Sequence, residues 1–222
     1  NGNNFSIPTG NRNVYSPASI SMTSMAEPFF KFFESSQPQI GFRDGYQVGI
    51  ETKNFGRFPS LKLPKPAKLN GTLEQALLLR KTDRKFAKRP LTKMEVSTLL
   101  FWSVGMIHRT DHGMKFRRPF PSGGSRFPIE IYFVNFEKGD FPTGTYHYNP
   151  TDHSLESIPF SNQRRIRDAL TEEFARAAPV LIILTFVSGR VLPKYGSLGW
   201  KLGLLEAGHI GQNVYLVGAI TD

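Results

Sequence analysis

The sequence has no cysteine, a deficit of acidic residues and no long hydrophobic run. Without cysteine the chain has no disulfide, no thiolate nucleophile and no zinc–thiolate site. The longest apolar run, from Ala177 to Val187, is interrupted by Pro179 and Thr185 and is far shorter than the ~20 residues that a membrane-spanning helix needs. The first residues show neither the basic start nor the apolar stretch of a signal peptide. We therefore expect a cytoplasmic protein without a membrane segment.

The charge of the chain points to an anionic partner. Twenty-eight Lys and Arg residues face 18 Asp and Glu residues, which gives a net charge of +10. Between Arg80 and Arg126 there are twelve basic residues and three acidic ones. A phosphate-bearing cofactor, an acidic substrate or a nucleic acid would each suit this charge, and the charge alone does not choose among them.

The composition divides the chain into two parts. Hydrophobic residues make up 39% of the 222 residues, and 19 of them are phenylalanine, which is typical of a folded chain with a real core. Residues 1–70 are rich in Asn, Ser, Pro and Gly, and we interpret them as an N-terminal arm that ends in an extended linker, Leu61 to Pro66. Residues 71–222 are expected to form the folded domain.

Helix and strand signals alternate irregularly along that domain. Capping residues Thr72 and Thr92 predict helices from Leu73 and Lys93, and Ser161 predicts a third helix that runs through Phe174. Strands are predicted at 129–135, in a hairpin of 144–148 and 154–158, and at 178–186, where the apolar run suggests a central strand. The final segment, 198–220, is predicted to be a buried central helix whose five glycines allow close approach of another helix or chain. This mixture indicates an α+β fold, with a mostly antiparallel sheet flanked by helices.

Two segments suggest a bound cofactor. In Pro121-Ser122-Gly123-Gly124-Ser125-Arg126, two bare glycines let backbone amides approach a planar or anionic ligand, although an ordinary turn has the same composition. In the segment Arg80-Lys81-Thr82-Asp83-Arg84, the first, third and fifth side chains would project to one side of an extended chain and suit a phosphate, although a solvated basic loop is an equal alternative. His108 and His112 lack a third ligand, so we predict no metal site.

Four segments in the same order resemble the nitroreductase superfamily, and within it the SagB-type, thiazoline/oxazoline oxidase-like dehydrogenases. The first two are the segments just described, Arg80 to Arg84 and Pro121 to Arg126. The other two are Gly144-Thr145-Tyr146-His147-Tyr148 and the run from Lys194-Tyr195-Gly196 to Glu206-Ala207-Gly208-His209 and Gln212-Asn213. The resemblance covers about Leu73 to Ala219.

The resemblance implies a homodimeric α+β protein with FMN at the dimer interface. Arg80, Thr82 and Arg84 would hold the phosphate and ribityl chain, and Pro121, Ser122, Gly123, Gly124 and Ser125 would line the isoalloxazine ring. Ser125 stands where many plain nitroreductases have Asn, which favours the azoline oxidases. Because family members continue past the long helix with a further strand, we expect that this domain lacks its C-terminal end.

Lys194 and Tyr195 match the catalytic pair of the azoline oxidases. A neighbouring ammonium group stabilises a phenolate, which could then act as a base; without the family context the pair would only begin the last helix. The reaction implied is oxidation of azoline rings to azoles in a ribosomally made peptide, beside a cyclodehydratase that supplies the substrate. The alternatives are an NAD(P)H-dependent nitroreductase or quinone reductase, a basic nucleic-acid-binding module, and a scaffold without flavin.

Overall fold

The structure is a computed structural model and describes residues 52–87, 89–108, 116–159 and 163–221. Most of the predicted arm, the Ser161 cap and His112 lie outside these residues. The division of the chain at residue 70 remains a prediction. Across the described ranges, no helix combines the length and the hydropathy that a bilayer span requires.

An antiparallel sheet of five strands forms the centre of the fold, in the order β1-β6-β5-β4-β7. The strands are β1 (Ser60–Lys62), β4 (Ile129–Asn135), β5 (Gly144–Asn149), β6 (Ser154–Ile158) and β7 (Val180–Phe186), and a separate ribbon pairs β2 (Ile107–His108) with β3 (Phe116–Arg117). The register sets Phe133 opposite Tyr146 and Ile182. The strand at 129–135 and the hairpin that follows it are confirmed.

The two longest of the six described helices pack against one face of this sheet. The six are α1 (Leu73–Leu79), α2 (Lys93–Val104), α3 (Gln163–Asp168), α4 (Glu173–Arg176), α5 (Leu192–Tyr195) and α6 (Leu198–Ile220), of which α2 and α6 are the longest. Local chemistry fixes the first two, because Thr72 and Thr92 each form a complete capping box with the residue three positions later. Leu100 of α2, Ile210 of α6 and Phe133 of β4 meet in the core and are almost completely buried. The predicted α+β fold is confirmed.

The opposite face of the sheet is covered by residues 53–58, defined here as the covering segment. Its Lys53 and Phe55 amides donate to Glu130 Oε1 (3.2 Å) and Glu156 Oε2 (3.0 Å), and the Phe55 ring lies 5.0 Å from the His147 ring. Directly after it, β1 pairs with β6 at the edge of the sheet. The prediction of an extended linker from Leu61 to Pro66 is therefore wrong for its first two residues, which are extended but belong to the sheet. A strand of three residues has no alternation long enough to detect.

Two other local predictions are also wrong. Within the described residues β7 pairs only with β4 and lies at the sheet edge, not in its centre. An apolar run favours burial but does not determine the number of paired strands. The β7 side chains are mostly half-buried, and Phe186 among them contacts Gly203 of α6. The single helix predicted through Phe174 is two short helices, because the Leu170 carbonyl accepts from Arg176 Nε (2.7 Å) and Glu172 begins a new turn.

Candidate functional site

The glycine loop, Pro121–Arg126, folds into a tight 3₁₀ turn directly before β4. The Ser125 amide donates to the Ser122 carbonyl (3.1 Å), and the Phe127 amide donates to Ser122 Oγ (2.8 Å). Gly124, Ser125 and Phe127 all have positive φ angles, of 60°, 53° and 44°. Only glycine adopts such angles without cost, so this loop is a locally strained backbone held by its surroundings, as functional sites often are.

Lys194 and Tyr195 of α5 lie against this loop. A β-carbon built on Gly124 would stand 2.5 Å from Tyr195 Oη and 3.4 Å from Lys194 Nζ, so no larger residue fits there. The Lys194 ammonium is 5.1 Å from the centre of the Tyr195 ring. The structure therefore brings together two of the three predicted groups of site residues, which are about 70 positions apart in the chain.

Two arginines hold the loop and α5 in register. Arg126 Nη1 donates to the Arg190 carbonyl (3.0 Å), and Arg190 Nη1 donates back to the Phe127 carbonyl (2.7 Å). The Arg190 side chain is buried and forms an ion pair with Glu130. Because α5 begins two residues after Arg190, this reciprocal pair fixes where Tyr195 meets Gly124.

Glu130 also belongs to a buried charged network between the strands. Glu130 Oε2 and Glu156 Oε2 lie 2.8 Å and 2.9 Å from the two ring nitrogens of His147, and Asn149 donates to Glu156 Oε1 (2.9 Å). Burial alone would raise the pKa of both carboxyls, but hydrogen bonds to His147, with Arg190 for Glu130 and Asn149 for Glu156, leave each pKa lowered. The His147 ring therefore joins the carboxyl groups of the two strands that neighbour β5.

Glu206 of α6 lies under the glycine loop. Its Oε1 accepts from the Ile129 amide (3.3 Å), and its Oε2 is buried without a hydrogen-bond partner in the described part of the chain. Burial raises the pKa of this carboxyl, partly offset by the Ser122 hydroxyl and the Ile129 amide. Two helical turns further along α6, Asn213 donates to the Ser103 and Pro119 carbonyls, which holds the chain that leads into the loop.

The third group of predicted site residues, Arg80, Thr82 and Arg84, does not lie at the glycine loop of the same chain. Residues 80–87 have no regular structure and are exposed; Arg84 lies 5.3 Å from the Phe174 ring of α4. Gly71, which precedes α1, packs on Ile220 at the C-terminal end of α6, whereas Gly123 packs on Leu202 near its start. The 23 residues of α6 span roughly 35 Å. The entry to α1, which leads to the basic segment, and the glycine loop therefore lie towards opposite ends of this helix.

One side of α6 remains exposed in the single chain. Leu204 and Leu205 are exposed to 66% and 60%, and Tyr215 continues the same side of the helix. A β-carbon built on Gly208, Gly211 or Gly218 would meet no atom within 4 Å. An apolar surface with open backbone is typical of a protein–protein contact.

The fold and these segments define a class of oxidoreductase. A crystal structure of a nitroreductase-like protein of Ralstonia eutropha JMP134 matches with a TM-score of 0.60 and 28% identity, covering 72% of this chain and 71% of that one. The sequence profile of the nitroreductase family matches residues 77–220. The chain belongs to the nitroreductase family, as its motifs predict.

Relatives fall into two groups by name. The nitroreductase-like protein MJ1384 of Methanocaldococcus jannaschii is 32% identical over 147 residues, which are 65% of this chain and 72% of the relative. The microcin B17-processing protein McbC of Escherichia coli is 29% identical over 132 residues, 56% of this chain and 48% of McbC. The chain thus spans about half of McbC. The E. coli microcin synthetase McbBCD complex shares the fold, with a TM-score of 0.50 at 23% identity over 92% of this chain and 69% of that one.

Sequence reasoning missed the buried residues around the loop, namely Arg118, Glu130, His147, Glu156 and Arg190. A signal was present for Glu130, a single carboxylate inside the apolar strand Ile129-Glu130-Ile131-Tyr132-Phe133-Val134, but a polar residue there also suits an exposed strand face. No group of three or more His, Asp or Glu side chains in the described ranges has metal-binding geometry.

Proposed function

We propose that this nitroreductase-family protein is an FMN-dependent oxidase that converts azoline rings to azoles in a ribosomally made peptide. The observation that carries the proposal is the contact of Lys194 and Tyr195 with the backbone of Gly124. This contact would set a potential base and its neighbouring cation beside strained glycine backbone without side chains, against which we propose that the flat ring lies. McbC, whose name describes the processing of microcin B17, supports the choice of a peptide substrate.

The residues fit FMN in two respects. The glycine loop offers bare backbone with hydroxyls of Ser122 and Ser125 beside it, and Pro121, Gly123 and Gly124 complete the surface for the isoalloxazine ring. The side chains of the basic segment, Arg80, Thr82 and Arg84, are exposed to solvent. They are therefore free to contact the phosphate and the ribityl chain. When bound, FMN would supply the acceptor for the hydride that leaves the azoline carbon next to the one that loses the proton. Oxygen would take up the two electrons afterwards.

The side chains would divide the remaining work between them. The Tyr195 oxygen would accept the proton from the ring carbon α to the carbonyl, with the Lys194 ammonium beside the tyrosine ring. One proton and one hydride leave the azoline, which accounts for the two hydrogens lost in forming the azole. Arg126 and Arg190 hold Tyr195 in place during the transfer.

We further propose that the active unit is a homodimer. The entry to α1 and the glycine loop lie towards opposite ends of α6, so one chain does not bring the proposed phosphate and ring sites together. Two copies of α6 packed antiparallel through Leu204, Leu205 and the open glycines would place the start of one helix beside the end of the other. A cyclodehydratase that makes the azoline would be the further partner, a role suggested by the McbBCD assembly.

The first test is the visible absorption spectrum of the purified protein, with the released chromophore identified. We expect a flavin spectrum and FMN; a colourless protein that takes up no added FMN contradicts the proposal and favours a scaffold or nucleic-acid role. On an azoline peptide, Lys194→Ala and Tyr195→Phe should each lower kcat at least 100-fold, as expected for loss of acid–base catalysis. Lys138→Ala and Tyr132→Phe, which change an exposed lysine and a tyrosine on the covered face, are the matched controls.

A second candidate is an NAD(P)H-dependent nitroreductase, favoured by the 32% identity to MJ1384. Steady turnover of a nitroaromatic with NADPH, unaffected by Tyr195→Phe, would establish it in place of the oxidase.

A further inference from the structure

Arg118 is a buried cation that forms no ion pair with any residue the structure describes. Its side chain is 8% exposed, its guanidinium carbon lies 4.9 Å from the Phe127 ring centre, and its Nε has no hydrogen-bond partner among the described residues. Burial lowers the pKa of Arg118, and the charges of Glu130 and Glu206 oppose this effect only in part. Arg190 is equally buried but is paired with Glu130 and the Phe127 carbonyl. The contrast sets Arg118 apart from a structural arginine.

A buried and unpaired charge is costly for a folded protein unless something compensates for it. The aromatic ring of Phe127 supplies only a weak attraction. Such a group is retained more readily where a ligand completes its pairing, because functional groups are often kept at the expense of stability.

Arg118 lines a cavity of about 490 Å³ that adjoins the glycine loop. The other walls include Ile107, Arg117, Phe120, Ser122 and Phe127, so flat apolar surfaces alternate with positive charge and a hydroxyl. This size and mixture are typical of small-molecule sites. A rigid aromatic wall favours a planar ligand, and the two arginines favour oxygen atoms that carry negative charge.

We propose that Arg118 and this cavity form a binding subsite for a planar group with negative charge delocalised over carbonyl oxygens. The inference rests on the proposed flavoenzyme function, which offers two sources of this chemistry. One is the dicarbonyl edge of FMN in its reduced, anionic state; the other is a carboxylate or carbonyl group of the substrate next to the azoline.

The test compares the wild type with Arg118→Gln and Arg118→Lys, and with Arg164→Gln as a control for loss of a surface charge, since the Arg164 side chain is 91% exposed. The affinity for oxidised FMN and the flavin midpoint potential are measured for each protein. Benzoate, a planar carboxylate, is then titrated into the FMN-loaded proteins and followed by the flavin absorbance.

If the flavin is the partner, Arg118→Gln should weaken binding of reduced relative to oxidised FMN at least tenfold, which lowers the midpoint potential by about 30 mV per tenfold. If the substrate is the partner, the potential should stay unchanged and benzoate affinity should fall at least tenfold. In either case Arg118→Lys should recover part of the loss and Arg164→Gln should match the wild type. Unchanged potential and unchanged benzoate binding in Arg118→Gln would overturn the proposal.

Two further measurements keep this inference separate from the function. If the wild type binds no FMN, the oxidase proposal fails, and benzoate titration by calorimetry decides the subsite alone: binding lost in Arg118→Gln supports it, and no binding to the wild type refutes it. The second measurement is the urea unfolding of the ligand-free protein. A ligand-binding Arg118 predicts that Arg118→Gln is at least as stable as the wild type, whereas a marked loss would show a structural role.

Discussion

Replacement of Gly124 by alanine tests whether the glycine loop and Tyr195 touch as described. Two separate costs follow from the geometry. A φ of 60° costs a residue with a β-carbon about 1–2 kcal/mol. The new β-carbon would also lie 2.5 Å from Tyr195 Oη, and overpacking of this kind costs typically about 1–3 kcal/mol. We therefore expect Gly124→Ala to lower the free energy of unfolding by roughly 2–5 kcal/mol.

The two costs can be separated with a second substitution. Tyr195→Phe removes the atom at 2.5 Å and leaves the ring carbon at 3.5 Å, which is ordinary contact. In this background only the backbone cost of about 1–2 kcal/mol should remain. The double-mutant cycle should therefore give a coupling of about 1–3 kcal/mol between positions 124 and 195.

Urea unfolding followed by far-UV circular dichroism supplies the four free energies. Gly189→Ala is the matched control, because a β-carbon there meets no atom within 4 Å, and it should change stability by less than about 0.5 kcal/mol. A coupling near zero, with Gly124→Ala equally costly in both backgrounds, would refute the contact and with it the argument that brings Tyr195 to the loop.

Three other predictions concern the dimer, the buried network and the core. Leu204→Glu should yield a monomer that retains little FMN, whereas Met94→Glu, on an exposed part of α2, should change neither; sedimentation and absorbance measure both. Since the pKa values of Glu130 and Glu156 are lowered from 4.5, their stabilisation is present above pH 4.5 and is lost as the pH falls through the lowered values; Glu156→Gln should melt with a shallower dependence on pH there. Leu100→Ala should cost about 2–5 kcal/mol in urea unfolding, and a cost below about 1 kcal/mol would contradict its core position.

Features set by neighbouring residues could be predicted from the sequence. The capping boxes at Thr72 and Thr92 are complete within four residues, so both helices begin where the pattern predicts. The hairpin at 144–158 is likewise specified by its own turn. The contact between Gly124 and Tyr195 was accessible only through the family resemblance, because no local pattern joins positions so far apart.

What depends on tertiary packing could not be predicted. Glu130 and His147 have the alternation of an exposed strand face, and the covering segment, more than 70 residues away in sequence, packs over them. The predicted central position of β7 fails for a similar reason, since the number of strands that pair with an apolar strand depends on distant parts of the chain. The long helix α6 has a buried side and an exposed side that the spacing of its apolar residues does not distinguish.

The covering segment and β1 have a practical consequence, because both precede residue 77, where the family match begins. A protein trimmed to the matched region would lose the amides that donate to Glu130 and Glu156, and two carboxylates would face solvent across what had been a covered sheet face. It would also lose the partner of β6, whose freed backbone would become an aggregation-prone edge. Expression trials designed on the family boundary should therefore give insoluble protein, while those that start before residue 52 should not.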